Sequence, residues 1–339
     1  MSRWADDPDG AADALMLSSL DDIVAAGRVL LVNQGRALPV ALRGRGVEGA
    51  IWNRRLVEGM PAAPWPPRGP FDLALVRLPK ARDEQAMTAH AALSVLRAGG
   101  RLILYGGNDE GIRPAAAMLD ELTGGVETLA ARGHGRVLAA LRPEDARGLR
   151  GSLAAWRRLS EMDIAGRVRP WVSYPGCFAA GRLDEGTALL VSALPSLAPG
   201  ARVLDYGCGA GAIAAAALGL QPALRLDAMD SDAVSLEAAS ENVPVARLVL
   251  GAGLADAGRA RYHAILSNPP LHQGIAEDRS LLGRLVADAP AHLAPDGYLQ
   301  LVAQRRVALE RLLACHFAKV EIAAETGRYR VWRAGVEAR

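Results

Sequence analysis

Three closely spaced glycines in the C-terminal half have the pattern of a ligand-binding loop. Gly207, Gly209 and Gly211 follow the apolar segment ARVLDY and precede the Ala-rich stretch AIAAAALGL. That order predicts a strand, a tight turn and a helix. Glycine lets the backbone turn sharply and approach a ligand closely, and the first turn of a helix offers unpaired N–H groups. The segment therefore predicts a binding loop at the end of a strand.

Two acidic residues distinguish this loop from a dinucleotide-binding turn. Its spacing is G-x-G-x-G rather than G-x-G-x-x-G, and Asp205 stands two residues before the first glycine. A carboxylate there suits a cationic amino-acid group better than a diphosphate. Asp230 ends the next predicted strand, LRLDAMD, where it can accept hydrogen bonds from ribose hydroxyls. S-adenosylmethionine offers both groups and is the predicted cofactor, whereas a nicotinamide oxidoreductase is the disfavoured alternative.

An Asn-Pro-Pro motif follows a later apolar strand. Asn268, Pro269 and Pro270 would lie at the carboxyl edge of the sheet, where open α/β sheets bind ligands. An amine conjugated to a purine ring is a poor nucleophile because its lone pair is delocalised. The side-chain oxygen of Asn268 and the backbone carbonyl of Pro269 can accept hydrogen bonds from such an amine. The motif therefore predicts methyl transfer to an amino nitrogen, with positioning as the main source of rate.

The strands that position these motifs belong to a pattern that occurs twice. GRVLLVNQGR matches ARVLDYGCGA, FDLALVRLPK matches YHAILSNPPL, and LRAGGRLILYGG matches LAPDGYLQLVAQ, in the same order. Alternating strands and helices predict mostly parallel sheets covered by helices. We therefore predict an α/β protein with two tandem doubly wound domains, residues 1–150 and 176–339. Residues 151–175 are the predicted linker, beginning with an amphipathic helix over SLAAWRRLSEM.

Composition restricts the class of protein. The 339 residues are 50% hydrophobic and 22% charged, which is typical of packed globular domains. The net charge of +2 is too small to indicate nucleic-acid binding by itself. The three cysteines lack metal-ligand spacing, so we expect neither a disulfide framework nor a metal site. No stretch has the pattern of a secretion signal or a membrane span, and a cytoplasmic monomer without membrane partners is expected.

With these residues the chain resembles the bacterial 16S ribosomal RNA guanine-N2 methyltransferases, which have tandem class I methyltransferase-like domains. The similarity spans nearly the whole chain and is most specific in PGCFAAGRLDEGTALL, VLDYGCGAG, SNPPLHQG and ETGRYRVWRA. It implies two Rossmann-like domains, S-adenosylmethionine as cofactor, and N2 of a guanine in ribosomal RNA of the small subunit as substrate. It also implies a degenerate N-terminal domain that serves folding and RNA positioning. VLLVNQGRA and VRLPKA agree, because they lack the glycine triad and Asn-Pro-Pro.

The resemblance implies further cofactor-binding residues. Asp256 would meet the adenine, since Gly253 stands at the position where the family has Asn or Asp. His263 replaces an aspartate that the family has at the start of the motif strand. The predicted cofactor-binding residues are Asp205, Gly207, Gly209, Gly211, Asp230 and Asp256.

The substrate side is implied in the same way. In the segment before the glycine loop, Phe178, Asp184 and Thr187 would help to close the cofactor and base pocket. Arg328, Arg330 and Arg333 alternate along GRYRVWRA, which predicts a common side of one strand, available to RNA phosphates or simply solvated. The predicted substrate-binding residues are Phe178, Thr187, Leu271, His272 and Arg328.

Several functions are compatible with these patterns. A 23S ribosomal RNA guanine-N2 methyltransferase is the nearest alternative. A protein-glutamine N5 methyltransferase uses a similar Asn-Pro-Pro followed by an aromatic residue. A non-catalytic RNA-binding factor of ribosome assembly would explain Leu271 in place of that aromatic residue and the departure at Gly253. Retention of Asp205, Asp230 and Asn268 favours an active methyltransferase.

Overall fold

The structure, a computed structural model, describes residues 8–23, 27–57, 59–269 and 276–336. The chain divides into two compact units, residues 1–157 and 158–339. Each unit has a central, mostly parallel β-sheet with helices packed on it, which confirms the predicted α/β class and the tandem arrangement. Within the described residues, no helix is long and apolar enough to span a membrane.

The first unit has a six-stranded sheet in the order β2-β1-β3-β4-β6-β5. The first four strands in that order are parallel, and β6 runs antiparallel to both β4 and β5. The strands are β1 (Val29–Val32), β2 (Gly49–Trp52), β3 (Phe71–Arg77), β4 (Leu96–Gly107), β5 (Glu127–Arg132) and β6 (Gly135–Leu141). The α-helices are α1 (Pro8–Ser18), α2 (Leu20–Ile23), α3 (Ala37–Arg43), α4 (Arg82–Val95) and α5 (Ile112–Thr123).

The second unit has a seven-stranded sheet in the order β11-β10-β9-β12-β13-β15-β14 and a separate hairpin, β7-β8. β15 runs in the opposite direction to the other six strands of this sheet. The strands are β7 (Arg158–Ile164), β8 (Arg167–Ser173), β9 (Arg202–Tyr206), β10 (Arg225–Asp230), β11 (Arg247–Leu250), β12 (Tyr262–Ser267), β13 (Leu293–Gln304), β14 (Lys319–Glu325) and β15 (Tyr329–Gly335). The α-helices are α6 (Glu185–Ser192), α7 (Ala212–Leu220), α8 (Ala233–Asn242), α9 (Ala276–His292) and α10 (Glu310–Ala314).

Each sheet buries both of its faces. In the second unit, Val203 and Leu266 point into a cluster with α6, α7 and α8, whereas Leu204 and Ile265 point into a cluster with α9 and α10. In the first unit, α4 and α5 cover one face and α1, α2 and α3 cover the other. Strands buried on both faces read as continuous apolar runs, which is why VLLV and AILS could be recognised in the sequence.

The prediction of an amphipathic helix over SLAAWRRLSEM is wrong. The structure has a short 3-10 helix at Leu153–Trp156, followed directly by the β7-β8 hairpin. Met162 and Ile164 are buried with exposed neighbours on either side, which is the two-residue period of a strand. A few apolar residues in a short segment fit both periods, and packing of the hairpin against α7 and α8 decides between them.

Candidate active site

The glycine loop connects β9 to α7 at the carboxyl edge of the second sheet. Gly207, Gly209 and Gly211 all have left-handed φ values, +70°, +54° and +93°. Gly211 begins α7, and a Cβ atom there would lie 2.5 Å from Cγ2 of Val243. A Cβ atom on Gly207 would meet no described atom within 4 Å, and one on Gly209 would reach only Cβ of Phe178, at 4.0 Å. The loop therefore borders open space on one side and packed core on the other.

Asp205 lies beneath this loop and is completely buried. Its Oδ2 accepts a hydrogen bond of 2.9 Å from the backbone N–H of Ala214, in the first turn of α7. Its Oδ1 is buried and accepts no hydrogen bond from any described residue. Burial raises the pKa of Asp205 to about 7, although the Ala214 N–H opposes the shift. A ligand that donates a hydrogen bond to Oδ1 would satisfy this carboxylate, and a cationic donor would also stabilise its charge.

Asp230, at the end of β10, holds the loop from the adjacent strand. Its Oδ2 accepts a hydrogen bond of 2.8 Å from the N–H of Gly209, and its Oδ1 accepts one of 2.8 Å from the N–H of Asp232. A carboxylate is also an acceptor group for hydroxyls, so Asp230 combines contact with the loop and the chemistry that a ribose requires. The loop and this acid are thus built as one assembly.

Asp256 belongs to a neighbouring turn after β11. Its Oδ2 accepts hydrogen bonds from the N–H groups of Ala252, at 2.9 Å, and Gly253, at 3.1 Å. The hydroxyl of Tyr206 donates to the carbonyl of Ala252 at 3.0 Å, which connects the turn to the end of β9. The structure therefore places Asp256 beside the glycine-loop edge, where its carboxylate orders the backbone of the turn.

These features fit S-adenosylmethionine. The unsatisfied oxygen of Asp205 can receive a cationic amino group, and the open space beside Gly207 and Gly209 admits a ligand against the backbone. Asp230 is positioned for ribose hydroxyls one strand away. Within the described residues, no group of His, Cys, Asp and Glu could hold a metal ion.

Asn268 follows β12, the strand that pairs with β9 on the side opposite β10. Its Nδ2 donates hydrogen bonds to Oγ1 of Thr187, at 2.8 Å, and to Oδ2 of Asp184, at 3.1 Å. None of the described residues donates to its Oδ1. The two acceptors set the orientation of the amide, because a flipped amide would place its oxygen against them. The side chain therefore offers a hydrogen-bond acceptor to a substrate.

The acceptors of this amide come from the start of α6. Asp184 is the N-cap residue, and its carboxylate accepts hydrogen bonds from the N–H groups of Gly186 and Thr187 at 3.0 and 3.1 Å. The hydroxyl of Thr187 donates to Oδ2 of the same carboxylate. The LDEGT segment was expected to close the pocket; the structure brings it onto Asn268, a contact that spans more than 80 residues of sequence.

The remaining predicted catalytic and substrate-binding residues lie partly in the described part of the chain and partly outside it. Phe178 is 50% exposed in a 3-10 helix beside Gly209, so it borders the glycine loop. Pro269 is buried next to Asn268. Pro270, Leu271 and His272 lie outside the described residues.

The prediction that three arginines share one side of their strand is wrong. Arg330 pairs with Glu325 and stacks 5.2 Å from the ring centre of Trp332. Arg333 donates instead to the side chain of Gln300 and to the carbonyl of Ala193, on the opposite face. Positions 330 and 333 differ by an odd number, so β15 directs them to opposite faces. Only Arg328, before the strand, is exposed at the carboxyl edge, where it lies 3.4 Å from Glu185.

His263 has a structural role on β12 rather than a place at this edge. Its Nδ1 accepts a hydrogen bond of 3.0 Å from the N–H of Arg202 on β9. In the first unit, Asp72 makes the same contact with the N–H of Arg28, at 2.8 Å. A neutral imidazole therefore replaces a carboxylate as the acceptor between two equivalent strands.

Comparisons with known proteins agree with this description. The methyltransferase small domain family matches residues 170–333, and the family of its N-terminal domain matches residues 60–136. Ribosomal RNA small subunit methyltransferase C of Shewanella halifaxensis is 31% identical over 266 residues, covering 77% of this chain and 76% of the relative. The Pseudomonas aeruginosa protein of the same name is 35% identical over 273 residues, covering 79% of this chain and 80% of its own.

A solved structure extends the similarity to the fold. The 16S rRNA N2 methyltransferase of T. thermophilus, in complex with AdoMet and guanosine, matches with a TM-score of 0.82 and 24% identity. The match covers 99% of this chain and 93% of the other.

The fold and the site together define a class I methyltransferase, an enzyme class that takes S-adenosylmethionine as its methyl donor. Within that class, the chain belongs to the family of ribosomal RNA small subunit methyltransferase C.

Proposed function

We propose that the protein transfers a methyl group from S-adenosylmethionine to the exocyclic N2 of a guanine in 16S ribosomal RNA. The observation that carries this proposal is the orientation of Asn268, whose amide oxygen is left to accept a hydrogen bond at the carboxyl edge of the sheet. Membership of the small-subunit methyltransferase family supports the choice of RNA.

The cofactor would be held by the glycine loop and its acids. We assign the amino group to Asp205, the ribose hydroxyls to Asp230 and the adenine side to Asp256, with Gly207, Gly209 and Gly211 shaping the surface. When bound, S-adenosylmethionine supplies a methyl group on a sulfonium, which is an activated leaving group. The raised pKa of Asp205 falls again when a cation approaches, so its charge and the ligand's stabilise each other.

The nucleophile would be oriented by Asn268 and Pro269. The side-chain oxygen of Asn268 accepts one hydrogen of the amine, and the carbonyl of Pro269 accepts the other. Both hydrogens are then held in directions that turn the nitrogen lone pair toward the methyl group. One of the two amine protons is released to solvent once the nitrogen has gained the methyl group, which leaves a neutral methylamino group. Pro270, Leu271 and His272 belong to the same motif and are assigned to the substrate side.

A groove at the same edge of the second unit supports an RNA substrate. It is lined by Gln304, Arg305, Arg306, Gly327 and Arg328. β13 ends and β15 begins there, so three cationic side chains lie beyond the sheet edge that carries Asn268. Arg306 is exposed and has no ion-pair partner among the described residues. Phosphates flanking the target base would bind these arginines, with the base turned out of its stack toward Asn268 and Phe178.

The proposed division of labour assigns catalysis to residues 176–339. Residues 1–150 would form the degenerate domain, which serves folding and RNA positioning, and residues 151–175 would connect the two. The first unit supports this assignment because its carboxyl edge has Asn53 and Arg77 where the second has Asp230 and Asn268.

The decisive experiment is transfer of labelled methyl from S-adenosylmethionine to 30S subunits, 50S subunits and free ribosomal RNA, followed by digestion to nucleosides. We expect N2-methylguanosine from 16S RNA, and its loss in Asn268→Ala. Label in 23S RNA would reassign the substrate. Label on protein would indicate a glutamine methyltransferase, and no label despite cofactor binding would indicate an inactive assembly factor.

The groove is tested separately with Arg306→Ala. Removal of one phosphate contact should weaken RNA binding and reduce the dependence of log affinity on log salt concentration by about 1. Arg225→Ala, at an exposed arginine that begins β10 on the amino-terminal edge of the same sheet, is the matched control for loss of one charge. Equal salt slopes for both variants would remove the groove from the RNA interface.

A further inference from the structure

The contacts of Asn268 form a chain of hydrogen bonds that runs in one direction. The amide Nδ2 donates to two acceptors, Oγ1 of Thr187 and Oδ2 of Asp184, which are hydrogen-bonded to each other. The hydroxyl of Thr187 has a single hydrogen, which it donates to Asp184. The hydroxyl oxygen is therefore free to accept from Asn268, and the carboxylate at the end of the chain accepts from both side chains.

This arrangement is rigid because its terminal member is fixed by the helix backbone. Asp184 caps α6 through the N–H groups of Gly186 and Thr187. Thr187 is 5% exposed, whereas Asp184 and Asn268 are partly buried. The hydroxyl of Thr187 is therefore the shielded member of the chain, and leaving one of its partners unpaired there is costly.

We propose that Asp184 and Thr187 are positioning residues that lock the amide of Asn268 with its NH2 group turned toward them, so that it presents its oxygen to the substrate. This inference rests on the proposed function and adds a basis for selectivity. A free asparagine amide can present either N–H groups or oxygen after a half-turn. Locked as here, it binds an amino group and repels a ring carbonyl, which is the difference between the exocyclic amino and keto groups of a purine.

The first test compares Thr187→Val with Thr187→Ser. Valine keeps the shape of threonine and removes both hydrogen bonds of the hydroxyl, whereas serine retains them. We expect kcat for methyl transfer to fall by about 10- to 100-fold in Thr187→Val, the range for losing a group that orients a functional side chain. Affinity for S-adenosylmethionine should not change, and Thr187→Ser should recover most of the rate.

The matched control is Thr88→Val, which makes the same substitution at another buried helical threonine, in α4 of the first unit. It should leave kcat unchanged. Melting temperatures of all three variants show whether a loss of rate follows from unfolding. If Thr187 had a purely structural role, Thr187→Val would lower the melting temperature and the cofactor affinity together. Thr187→Ser would then not restore kcat alone.

Asp184→Asn provides a second, independent variant. Asparagine caps helices as well as aspartate, so α6 keeps its start. Its side chain has one acceptor oxygen in place of two, and its NH2 group lies against either the N–H of Gly186 or the donors that Oδ2 of Asp184 now accepts from. The acceptors that hold the amide of Asn268 are thereby weakened, and we expect kcat to fall.

The outcomes separate this inference from the proposed function. If wild-type protein labels no RNA, the proposed function fails. If wild-type protein methylates RNA and both Thr187→Val and Asp184→Asn retain its kcat, the positioning role is overturned while the function stands.

Discussion

At the carboxyl edge of the first sheet, Asn53 and Arg77 occupy the positions that Asp230 and Asn268 occupy in the second. The strand registers establish this equivalence. Val32 of β1 pairs with Trp52, as Tyr206 of β9 pairs with Met229, and Asn53 and Asp230 are the next residues. Likewise Leu30 pairs with Ala74 and Leu204 with Ile265, which aligns β3 with β12. The two edges can therefore be compared residue by residue.

The first edge satisfies its polar groups internally. The buried side chain of Asn53 accepts from the N–H of Gln34 at 2.8 Å and donates to its carbonyl at 3.1 Å. The side chain of Gln34 occupies the edge, donating to the carbonyls of Val32 and Leu75 and accepting from the hydroxyl of Tyr105 at 2.6 Å. Arg77 forms a two-pronged ion pair with Glu110.

The second edge leaves acceptors without donors among the described residues, namely Oδ1 of Asp205 and Oδ1 of Asn268. Leu31 stands at the position of Asp205 in the first unit, so that acceptor has no counterpart there. The same strand order thus supports a closed edge or a ligand-binding edge. What differs is whether buried polar groups are completed by the protein or await a ligand.

We expect the largest loss of activity when Asn268 in the second edge is replaced by arginine, the residue at the equivalent position of the first edge. Asn268→Arg replaces an oriented acceptor with a cation and removes its fit to Thr187. We expect methyl transfer to fall by more than about 100-fold, the scale for losing a preorganised electrostatic contact to the reacting group. Cofactor affinity, measured by calorimetry, should persist, because the glycine loop and Asp230 are unchanged. A variant that retained activity would show that Asn268 does not contact the amine.

The reverse substitution should affect folding instead of activity. Arg77→Asn leaves Glu110, whose side chain is 5% exposed, without its bidentate partner. We expect a loss of about 3 kcal/mol in the free energy of unfolding, typical of breaking a buried ion pair. Chemical denaturation followed by fluorescence would measure it. The control is Arg97→Asn, because Arg97 and Asp72 lie at the surface, where solvent screens their ion pair, and its loss should change the free energy of unfolding little.

Binding of a cationic ligand should release protons from the second edge, because Asp205 stands there where the first edge has Leu31. The pKa of Asp205 in the ligand-free protein is raised by burial to about 7. Its contribution to stability is therefore complete below the unfolded-state pKa of 3.8 and is lost as pH rises through about 7. A cationic ligand lowers the pKa, so binding at pH 7 should release about half a proton. Calorimetry in buffers of different ionisation enthalpy measures this, and Asp205→Asn should abolish the release.

The smallest effect concerns a contact that both units share. His263→Ala removes the acceptor for the N–H of Arg202, in an exposed position where water can replace it. The free energy of unfolding should fall by about 0.5–1 kcal/mol. His263→Asp, which copies Asp72, should restore it with kcat unchanged. A large loss of activity in either variant would mean that this residue reaches the active site.

Local patterns in the sequence were sufficient to predict the central strands of both sheets, the glycine loop and the duplicated fold. Continuous apolar runs such as VLLV and AILS identify strands buried on both faces, and glycines before an Ala-rich helix identify the loop. The β7-β8 hairpin was not predicted, because its few buried residues fit a helix equally well until α7 and α8 pack against them.

Contacts between segments that are distant in the sequence could not be predicted from local patterns. The hydrogen bonds from Asn268 to Thr187 and Asp184 depend on where α6 packs, and no spacing in the sequence encodes that. The opposite directions of Arg330 and Arg333 could have been predicted, because positions of different parity on a strand face opposite sides. The closure of the first edge by Gln34 likewise needed the structure, since a glutamine after a strand is common in solvated turns.

The order of segments along the chain has a consequence for fragments of this protein. The Asp184 cap and Thr187 precede β9, whereas the glycine loop, Asp230 and Asn268 all follow it. A chain that began after α6 would therefore retain every residue assigned to the cofactor and lose the two that orient the amide. We therefore expect cofactor binding and methyl transfer to require different lengths of this chain, with the short helix α6 included only in the longer one.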